Sequence, residues 1–384
     1  MTELVQAGPH ELVYALHAET YTRHNDVRFL VGGGEVFPAM LDAIAAAERY
    51  VHLETYILRS DETGSRFADA LMARAEKGVE VRLLYDAVGG LELSADYLAA
   101  LANAGVKLVE YGPLAPWKAR FRLHQRDHRK ILVCDGKVAF TGGINIGNEY
   151  DAVENGGGGW HDLHARVEGP VVAELARTFR RNWLKGGGDA FPPPGDAPET
   201  AGTAMAQALS NEELRRRRAI RRAYLHAFRR ARETIAIVNA YFIPDRGLRR
   251  VLFNAIRRGV KVSVTVPAES DVPAVQWASR HTYAALLKGG VRLYEWQWHV
   301  LHAKAVVVDG VWSSIGSYNL DARSLFHNLE VVLCIIDHAF GAKLKAQIDS
   351  DAALSREVDL AAWNARPLWR QLVEWLFYRF RFWL

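Results

Sequence analysis

The sequence repeats one pattern of polar residues that could perform acid–base and nucleophilic chemistry. In each copy a histidine is followed by a lysine, an aspartate, a glycine and an asparagine at identical offsets. The two copies are His128, Lys130, Asp135, Gly142 and Asn145, and His302, Lys304, Asp309, Gly316 and Asn319. One imidazole can attack phosphorus while the other protonates the leaving alkoxide. Lysine and asparagine side chains can hold the non-bridging oxygens. The two copies together therefore predict displacement at a phosphodiester.

Apolar runs determine where these side chains point. Residues 131–134 and 305–308 are apolar and predict buried strands. Because side chains alternate along a strand, His128 and Lys130 share one face, and the second copy repeats this arrangement. Asp135 and Asp309 are each followed by glycine and predict hairpin turns, on the other face. For both aspartates a catalytic role and a role in the turn or an ion pair stay open.

The pattern resembles the signature of the phospholipase D superfamily, His-x-Lys followed by Asp and then by Gly-Ser-x-Asn. The second copy matches throughout, with Ser317, and the first departs once, at Gly143. The resemblance implies a two-step reaction through a phosphohistidine, without a metal ion or other cofactor. It implies that His128 is the nucleophile and that His302 is the acid and later the base. The residues expected to bind or support the phosphate are Asn145, Asn319, Gly142, Gly316 and Ser317, and the catalytic set is His128, Lys130, Asp135, His302, Lys304 and Asp309.

A nucleophilic histidine must be neutral and correctly oriented, so its other ring nitrogen needs a partner. In proteins of this superfamily an acidic residue downstream of each motif provides that partner. Glu330 is in the expected place after the second motif, and Asp162 fits best after the first. The resemblance thus predicts that Glu330 orients His302 and that Asp162 orients His128.

The elements around each motif are duplicated as well. Strand and helix patterns alternate before each copy, and residues 104–111 parallel residues 289–296. This order predicts an α/β fold of two duplicated phospholipase D-like α/β/α sandwich halves, packed about a pseudo-two-fold axis. The expected boundaries are a first half over 1–185, a Gly/Pro-rich linker over 186–206, a second half over 207–355 and a tail over 356–384.

Composition is that of a globular protein, with 49% hydrophobic and 24% charged residues and a net charge of +4. A mild positive excess suits an anionic partner, either a membrane surface or nucleic acid. Cys134 and Cys334 lie in apolar runs and predict buried thiols rather than a disulfide. The sequence contains no run of ~18 apolar residues and no secretory signal pattern. Any membrane association is therefore expected to be peripheral.

Two further segments and one residue each allow two interpretations. The arginine-rich helix predicted over 214–232 could contact anionic lipid head groups or be a solvated face. Residues 366–384 interleave Trp, Phe and Arg, which favours a helix in a lipid interface over one docked on the protein. Glu54 could line the cleft or pair with a lysine.

Within the superfamily, the sequence most resembles bacterial cardiolipin synthases of a short class without N-terminal membrane helices. The resemblance implies transfer of a phosphatidyl group between two phosphatidylglycerol molecules, with release of glycerol. Phospholipids, including phosphatidylglycerol and cardiolipin, and a membrane surface are the expected partners, with no nucleic acid, on the cytoplasmic face of the bacterial inner membrane. The alternatives are a phospholipase D that hydrolyses phospholipids, a synthase using phosphatidylethanolamine, and, more distantly, a nuclease of the same superfamily.

Overall fold

A computed structural model describes residues 11–114, 125–193, 195, 197–212 and 217–383. Their strands form one continuous sheet. In chain order the strands are β1 (Thr22–Val31), β2 (Tyr50–Thr55), β3 (Glu80–Asp86), β4 (Lys107–Tyr111), β5 (Ile131–Cys134), β6 (Val138–Gly142), β7 (Leu163–Glu168), β8 (Ala204–Ser210), β9 (Thr234–Asn239), β10 (Lys261–Pro267), β11 (Arg292–Trp296), β12 (Lys304–Val308), β13 (Trp312–Gly316), β14 (Val331–Ile336) and β15 (Arg356–Glu357).

Helices connect and cover these strands. They are α1 (Gly32–Ala45), α2 (Glu62–Ala75), α3 (Ala95–Asn103), α4 (Val172–Gly186), α5 (Ala219–Arg230), α6 (Arg246–Arg257), α7 (Pro273–Lys288), α8 (Ala322–Phe326), α9 (His338–Ala353), α10 (Leu360–Asn364) and α11 (Leu368–Arg379). Within the described ranges, no helix is long and apolar enough to cross a bilayer.

The strand order confirms the predicted duplication. From the centre outward, one half runs β1-β7-β6-β5-β2-β3-β4 and the other runs β8-β14-β13-β12-β9-β10-β11, with β15 added at the edge. In each half the three outer strands are parallel and the inner ones antiparallel. The halves join where β1 pairs antiparallel with β8. Equal strand order on both sides of an antiparallel joint is what a pseudo-two-fold axis produces.

Layers of helices complete the predicted α/β/α arrangement. Helices α1 to α3 pack on one face of the first half, and α5 to α7 pack on the corresponding face of the second. On the opposite face, apolar residues of α4 and α9 share one core with β5, β7, β12 and β14. That shared core joins the halves, and it places the start of each motif strand near the junction.

The duplication extends to single turn residues. Gly105 and Gly290 occupy equivalent positions after α3 and α7, and both have positive φ, 93° and 88°. A left-handed conformation at a helix C-terminus favours glycine, because a Cβ atom would be strained there. Cys134 and Cys334 are buried free thiols, as the sequence predicts.

Some boundaries differ from the sequence analysis. The arginine-rich helix is shorter than the range 214–232, because α5 runs from Ala219 to Arg230, and residues 213–216 lie outside the described part. The range 186–206, predicted as a linker, includes the start of β8, which pairs with both β1 and β14. The divisions of the chain at 185, 206 and 355 stay predictions.

Candidate active site

A cavity of about 340 Å³ lies between the halves, and both motifs contribute to it. The histidines and asparagines of the two motifs line it, His128 and Asn145 from the first and His302 and Asn319 from the second. The other residues of its wall are Tyr56, Ile57, Tyr150, Tyr241, Asp271, Val272, Val275, Asp321, Arg323 and Asn328. The structure thus brings together two imidazoles that are 174 positions apart in the chain (302 − 128 = 174).

Each histidine is held by a carboxylate from the other half. His128 Nδ1 lies 3.0 Å from Glu330 Oε2, and His302 Nδ1 lies 2.6 Å from Asp162 Oδ2. In each pair the carboxylate accepts from Nδ1–H, which leaves Nε2 as the ring nitrogen available to a substrate. Two equivalent histidine–carboxylate pairs result, and both cross the junction between the halves.

This arrangement corrects the pairing predicted from the sequence. Glu330 was expected to orient His302 and Asp162 to orient His128, but the partners are exchanged. The backbone gives the reason. The His128 N–H donates to the carbonyl of Leu329 at 3.0 Å, and the His302 N–H donates to that of His161 at 2.8 Å. Each acidic residue directly follows a residue bonded to the opposite motif, so docking of the halves determines the pairing.

Burial changes the protonation of both imidazoles. Loss of solvent lowers the pKa of His128, and the Glu330 carboxylate counteracts this. Burial, reinforced by the Lys304 ammonium, lowers the pKa of His302 well below its usual range. Both histidines are therefore neutral near pH 7, the state that a nucleophile or a general base requires.

The motif lysines lie behind the histidines. Lys130 Nζ donates to the carbonyl of His128 at 2.6 Å, and Lys304 Nζ donates to the carbonyl of His302. Burial lowers the pKa of Lys130 to about 7, with a further contribution from Lys304, and it lowers the pKa of Lys304 to about 8. Desolvation makes these ammonium groups costly to keep charged, and an anionic phosphate would stabilise them.

The motif asparagines line the cavity but also bond to its wall. Asn145 Oδ1 accepts from the Ile57 N–H at 3.0 Å, and its Nδ2 donates to the Tyr150 hydroxyl at 2.6 Å. Asn319 Oδ1 accepts from the Tyr241 N–H at 3.3 Å. These contacts fix the amide planes at the cavity wall, where their N–H groups can face phosphate oxygens.

The sequence analysis missed the aromatic wall. Tyr56 packs its ring edge against His128 at 5.1 Å between centroids, and the Lys130 ammonium lies 5.3 Å from the same ring. Tyr241 lies 6.3 Å from His302 and donates its hydroxyl to Asp271 at 2.6 Å. The internal repeat could have identified these tyrosines, because each lies two residues after the equivalent strand positions of Glu54 and Asn239.

The glycines of the motifs support the site without lining it. A Cβ atom on Gly142 would lie 2.5 Å from the Cα of His164, and one on Gly316 would lie 2.3 Å from the carbonyl of Val331. Both distances are too short for any side chain. The absence of a Cβ therefore lets β7 and β14 approach, and with them the acidic residue that precedes each strand.

The departure at Gly143 matches a difference between the two carboxylates. In the second half Ser317 donates its hydroxyl to Glu330. In the first half a Cβ on Gly143 would lie only 2.1 Å from Asp162 Oδ1, so the shorter acid occupies the space of the missing side chain. The pairs Ser317–Glu330 and Gly143–Asp162 are thus alternative ways to fill the same position.

Asp135 and Asp309 do not line the cavity, and the catalytic role considered for them stays a prediction. Both lie in the hairpin turn at the opposite end of the motif strand, with positive φ of 56° and 52°. Asp135 accepts from the N–H groups of Glu48, Arg49 and Tyr50 at 2.8–2.9 Å. Asp309 accepts equivalently from the three N–H groups of residues 232–234. These bonds hold the start of the neighbouring strand, and they lower the pKa of Asp135 despite its desolvation.

Glu54 neither lines the cavity nor pairs with a lysine. Its Oε1 lies 2.8 Å from Arg129 Nε, and both side chains are fully buried. Arg129 also contacts Asp127 at 3.0 Å and Glu212 at 2.6 Å. This buried network fixes the backbone between His128 and Lys130. In the described part of the chain, no three His, Cys, Asp or Glu side chains are arranged to hold a metal ion.

A profile of the family described as "Cardiolipin synthase, PLD-like domain" matches residues 40–183 and 224–352. The sequence is 34% identical over 353 residues to cardiolipin synthase 2 of Bacillus anthracis, covering 91% of this chain and 69% of that protein. It is 36% identical over 369 residues to cardiolipin synthase A of Yersinia pseudotuberculosis, covering 93% of this chain and 75% of that protein.

Among solved structures, the fold is similar to that of phosphatidylserine synthase from Haemophilus influenzae, with a TM-score of 0.64. The match covers 95% of this chain and 94% of that one at 16% sequence identity. It supports the duplicated two-half architecture.

Proposed function

The chain belongs to the cardiolipin synthase family of phospholipase D-like proteins, and from that premise we propose that it is a phosphatidyltransferase that makes cardiolipin. The donor is one phosphatidylglycerol, the acceptor is a second, and glycerol is released. One observation supports the proposal most: His128 and His302 face one cavity, and each is held by a carboxylate of the other half.

In the first step His128 attacks the phosphorus of the donor through Nε2. The bond from phosphorus to the glycerol oxygen breaks, and His302 gives that oxygen a proton as glycerol leaves. Because burial and the Lys304 ammonium lower the pKa of His302, its proton must be stabilised by the bound phosphate anion and by Asp162. The lysine ammonium groups and the asparagine amides balance the charge on the non-bridging oxygens.

In the second step His302 acts as the general base. This imidazole, now neutral, takes the proton of a hydroxyl on the acceptor phosphatidylglycerol. The acceptor oxygen attacks phosphorus, the bond to His128 Nε2 breaks, and cardiolipin forms. Water in place of the acceptor would give phosphatidic acid, so exclusion of water from the cavity separates transfer from hydrolysis.

We further propose that the enzyme binds the membrane peripherally through α11. One side of this helix is docked on the protein, where Phe377 and Tyr378 pack against Ile243, Val275 and Ala278. The other side presents large apolar residues to solvent, among them Leu372, which is 64% exposed. The exposed apolar residues from 368 onward are Leu368, Trp369, Leu372, Trp375, Leu376, Phe380, Phe382 and Trp383.

The helix is docked on the protein and still has an unburied apolar face, so docking leaves that face available to a lipid interface. An apolar face bordered by arginines suits the interface of an anionic bilayer. The exposed arginines of α5 are proposed to contact the same head groups. The bacterial inner membrane and its cytoplasmic face stay predictions from the sequence.

The reaction is tested by incubating the purified protein with vesicles of glycerol-labelled phosphatidylglycerol and separating the lipids by thin-layer chromatography. Cardiolipin and free glycerol in equal amounts are expected, and the His128→Ala variant should form neither. Phosphatidic acid as the main product would replace the proposal with a hydrolase. If phosphatidylglycerol gives no product, vesicles of phosphatidylethanolamine test the alternative donor.

The membrane proposal is tested by vesicle sedimentation with Trp369, Leu372 and Leu376 replaced together by Ser. These residues are exposed, so the variant keeps the packing on α7 that deletion of 366–384 would remove. Binding to vesicles containing phosphatidylglycerol is expected to fall at least tenfold. Trp298→Ser, which removes an equally exposed tryptophan outside α11, is the control. Equal binding by all three proteins would contradict a role for this face.

A further inference from the structure

A second cavity lies beside the catalytic one and has six arginines in its wall. It has a volume of about 790 Å³ and is bounded by residues of α6, α7, α8 and α11 and by the residues around the start of α5. We call it the arginine pocket, after Arg218, Arg221, Arg246, Arg249, Arg379 and Arg381. Its carboxylates are Asp245 and Asp321.

Most of this positive charge is not neutralised by the protein. Arg221 forms a bidentate ion pair with Asp245, at 2.7 and 2.8 Å. Within the described ranges, no carboxylate forms an ion pair with the other five arginines of the pocket. The imidazole of His281 also lines the pocket, and burial, with Arg249 and Arg381 nearby, lowers its pKa. A concave surface with several unpaired guanidinium groups is a site for a phosphate or phosphodiester.

The arginine pocket shares a wall with the catalytic cavity. Asp321 lines both spaces, and it caps α8 by accepting from the Ser324 N–H at 2.8 Å. The next residue, Ala322, lines the arginine pocket, and the one after it, Arg323, lines the catalytic cavity. A single short helix, α8, therefore separates the two spaces.

The other side of the arginine pocket is apolar and belongs to the tail. Trp375, Tyr378 and Phe382 line it together with Phe326 of α8. Trp375 and Phe382 also belong to the exposed apolar face, at 47% and 44% exposure. A ligand that suits these surroundings carries a phosphate on a hydrocarbon body, as an anionic phospholipid does, whereas a free phosphate would use only the arginines.

We propose that the arginine pocket binds the phosphate of the acceptor phospholipid while the donor occupies the catalytic cavity. This inference rests on the proposed transfer between two phosphatidylglycerol molecules. The attacking hydroxyl of the acceptor is separated from its own phosphate by only a three-carbon glycerol. That phosphate must therefore lie close to the donor phosphate but outside its site, and the arginine pocket supplies the countercharge there. Cardiolipin, the product, would place one phosphate in each space.

Removing one arginine of the arginine pocket should weaken binding of the acceptor phospholipid. Transfer of the phosphatidyl group from the donor to His128 should stay unchanged. In Arg249→Ala, loss of one charged hydrogen bond is expected to lower the cardiolipin to phosphatidic acid ratio about tenfold. Formation of the phosphohistidine in a single turnover should stay unchanged. Arg250→Ala is the matched control, because it removes the same charge from the next position of α6, outside the pocket. Arg379→Ala tests the opposite wall independently.

Equal product ratios for Arg249→Ala, Arg379→Ala and Arg250→Ala would overturn the proposal. A binding measurement distinguishes failure of the arginine-pocket proposal from failure of the proposed reaction. In the inactive His128→Ala background, calorimetry with soluble dihexanoyl-phosphatidylglycerol should give weaker binding for Arg249→Ala than for Arg250→Ala. Inorganic phosphate in the same titration should bind far more weakly than the lipid. If it binds as tightly, the site takes free phosphate and the lipid assignment is wrong.

Discussion

Replacing Glu330 by Gln tests the crossed arrangement of the two halves. The substitution keeps the size of the side chain and removes its charge. Glu330 is fully buried and accepts from His128 and from the hydroxyls of Ser317 and Ser324. A glutamine can present its NH₂ group to Nδ1 and so stabilise the wrong tautomer, and it cannot neutralise positive charge on the imidazole.

The size of the effect follows from the geometry. The His128 ring nitrogen and the carboxylate oxygen are 3.0 Å apart, and both groups are buried. Two unit charges with centres about 4 Å apart attract by about 4 kcal/mol at an effective dielectric constant of ~20. Loss of that stabilisation as charge develops on His128 corresponds to a decrease of about 10³-fold in kcat.

Two measurements decide the outcome. The rate of phosphohistidine formation is measured by rapid quench with labelled phosphatidylglycerol, and ¹⁵N NMR of labelled histidine reports the ring nitrogens. In Glu330→Gln the rate should fall about 10³-fold and the His128 Nδ1 signal should move, while the His302 signal stays in place. A variant with normal rates would refute the role of the carboxylate. A shift of His302 instead of His128 would refute the crossed pairing.

Three further predictions concern the motifs. Gly143→Ser would restore the usual motif residue, yet its Cβ would overlap Asp162, so kcat should fall about 10–100-fold through a displaced His302. Asp135→Asn loses charge-assisted bonds to three backbone N–H groups, so the free energy of unfolding should fall by about 1–3 kcal/mol in urea titrations with unchanged activity. Lys130 and Lys304, with pKa values of about 7 and 8, are charged only below those values, so kcat/KM in pH-rate profiles should decline above pH about 7. The decline of kcat should begin at higher pH, because bound phosphate raises both pKa values.

Each of these predictions has its own control. Ser317→Gly, which loses the side-chain hydrogen bonds to Glu330 and Val331 and creates no overlap, should be milder than Gly143→Ser. The opposite order would contradict the packing argument. An Asp135→Asn enzyme that is fully stable but inactive would support the catalytic role predicted for Asp135 from the sequence. A kcat/KM that rises steadily to pH 10 would show that the lysines do not act as ammonium groups.

Local sequence signals predicted much of the fold. Val306 and its neighbours in β12 are apolar without interruption, and β12 is a buried strand of the sheet. The Asp-Gly pairs predicted hairpins, and their aspartates have positive φ. The repeat predicted two similar halves, because equal patterns with equal spacing fold alike.

The pairing of the site residues was not predictable in the same way. The contact between His128 and Glu330 joins residues 202 positions apart, and that between His302 and Asp162 joins residues 140 apart. Such contacts depend on how the halves dock, and the sequence near each motif does not specify that docking. Glu54 was misassigned for a related reason, since its partner Arg129 lies just before the neighbouring strand β5 and not in the cleft.

Trapping the covalent intermediate tests the central claim most directly. The protein is mixed with phosphatidylglycerol labelled in its phosphate, quenched in alkali within one turnover, and mapped by peptide mass spectrometry. The account predicts label on the peptide that contains His128, with none in His128→Ala and slower labelling in His302→Ala, which lacks the acid that protonates the leaving glycerol. Cardiolipin synthesis with the label on His302, or with no labelled histidine at all, would contradict it.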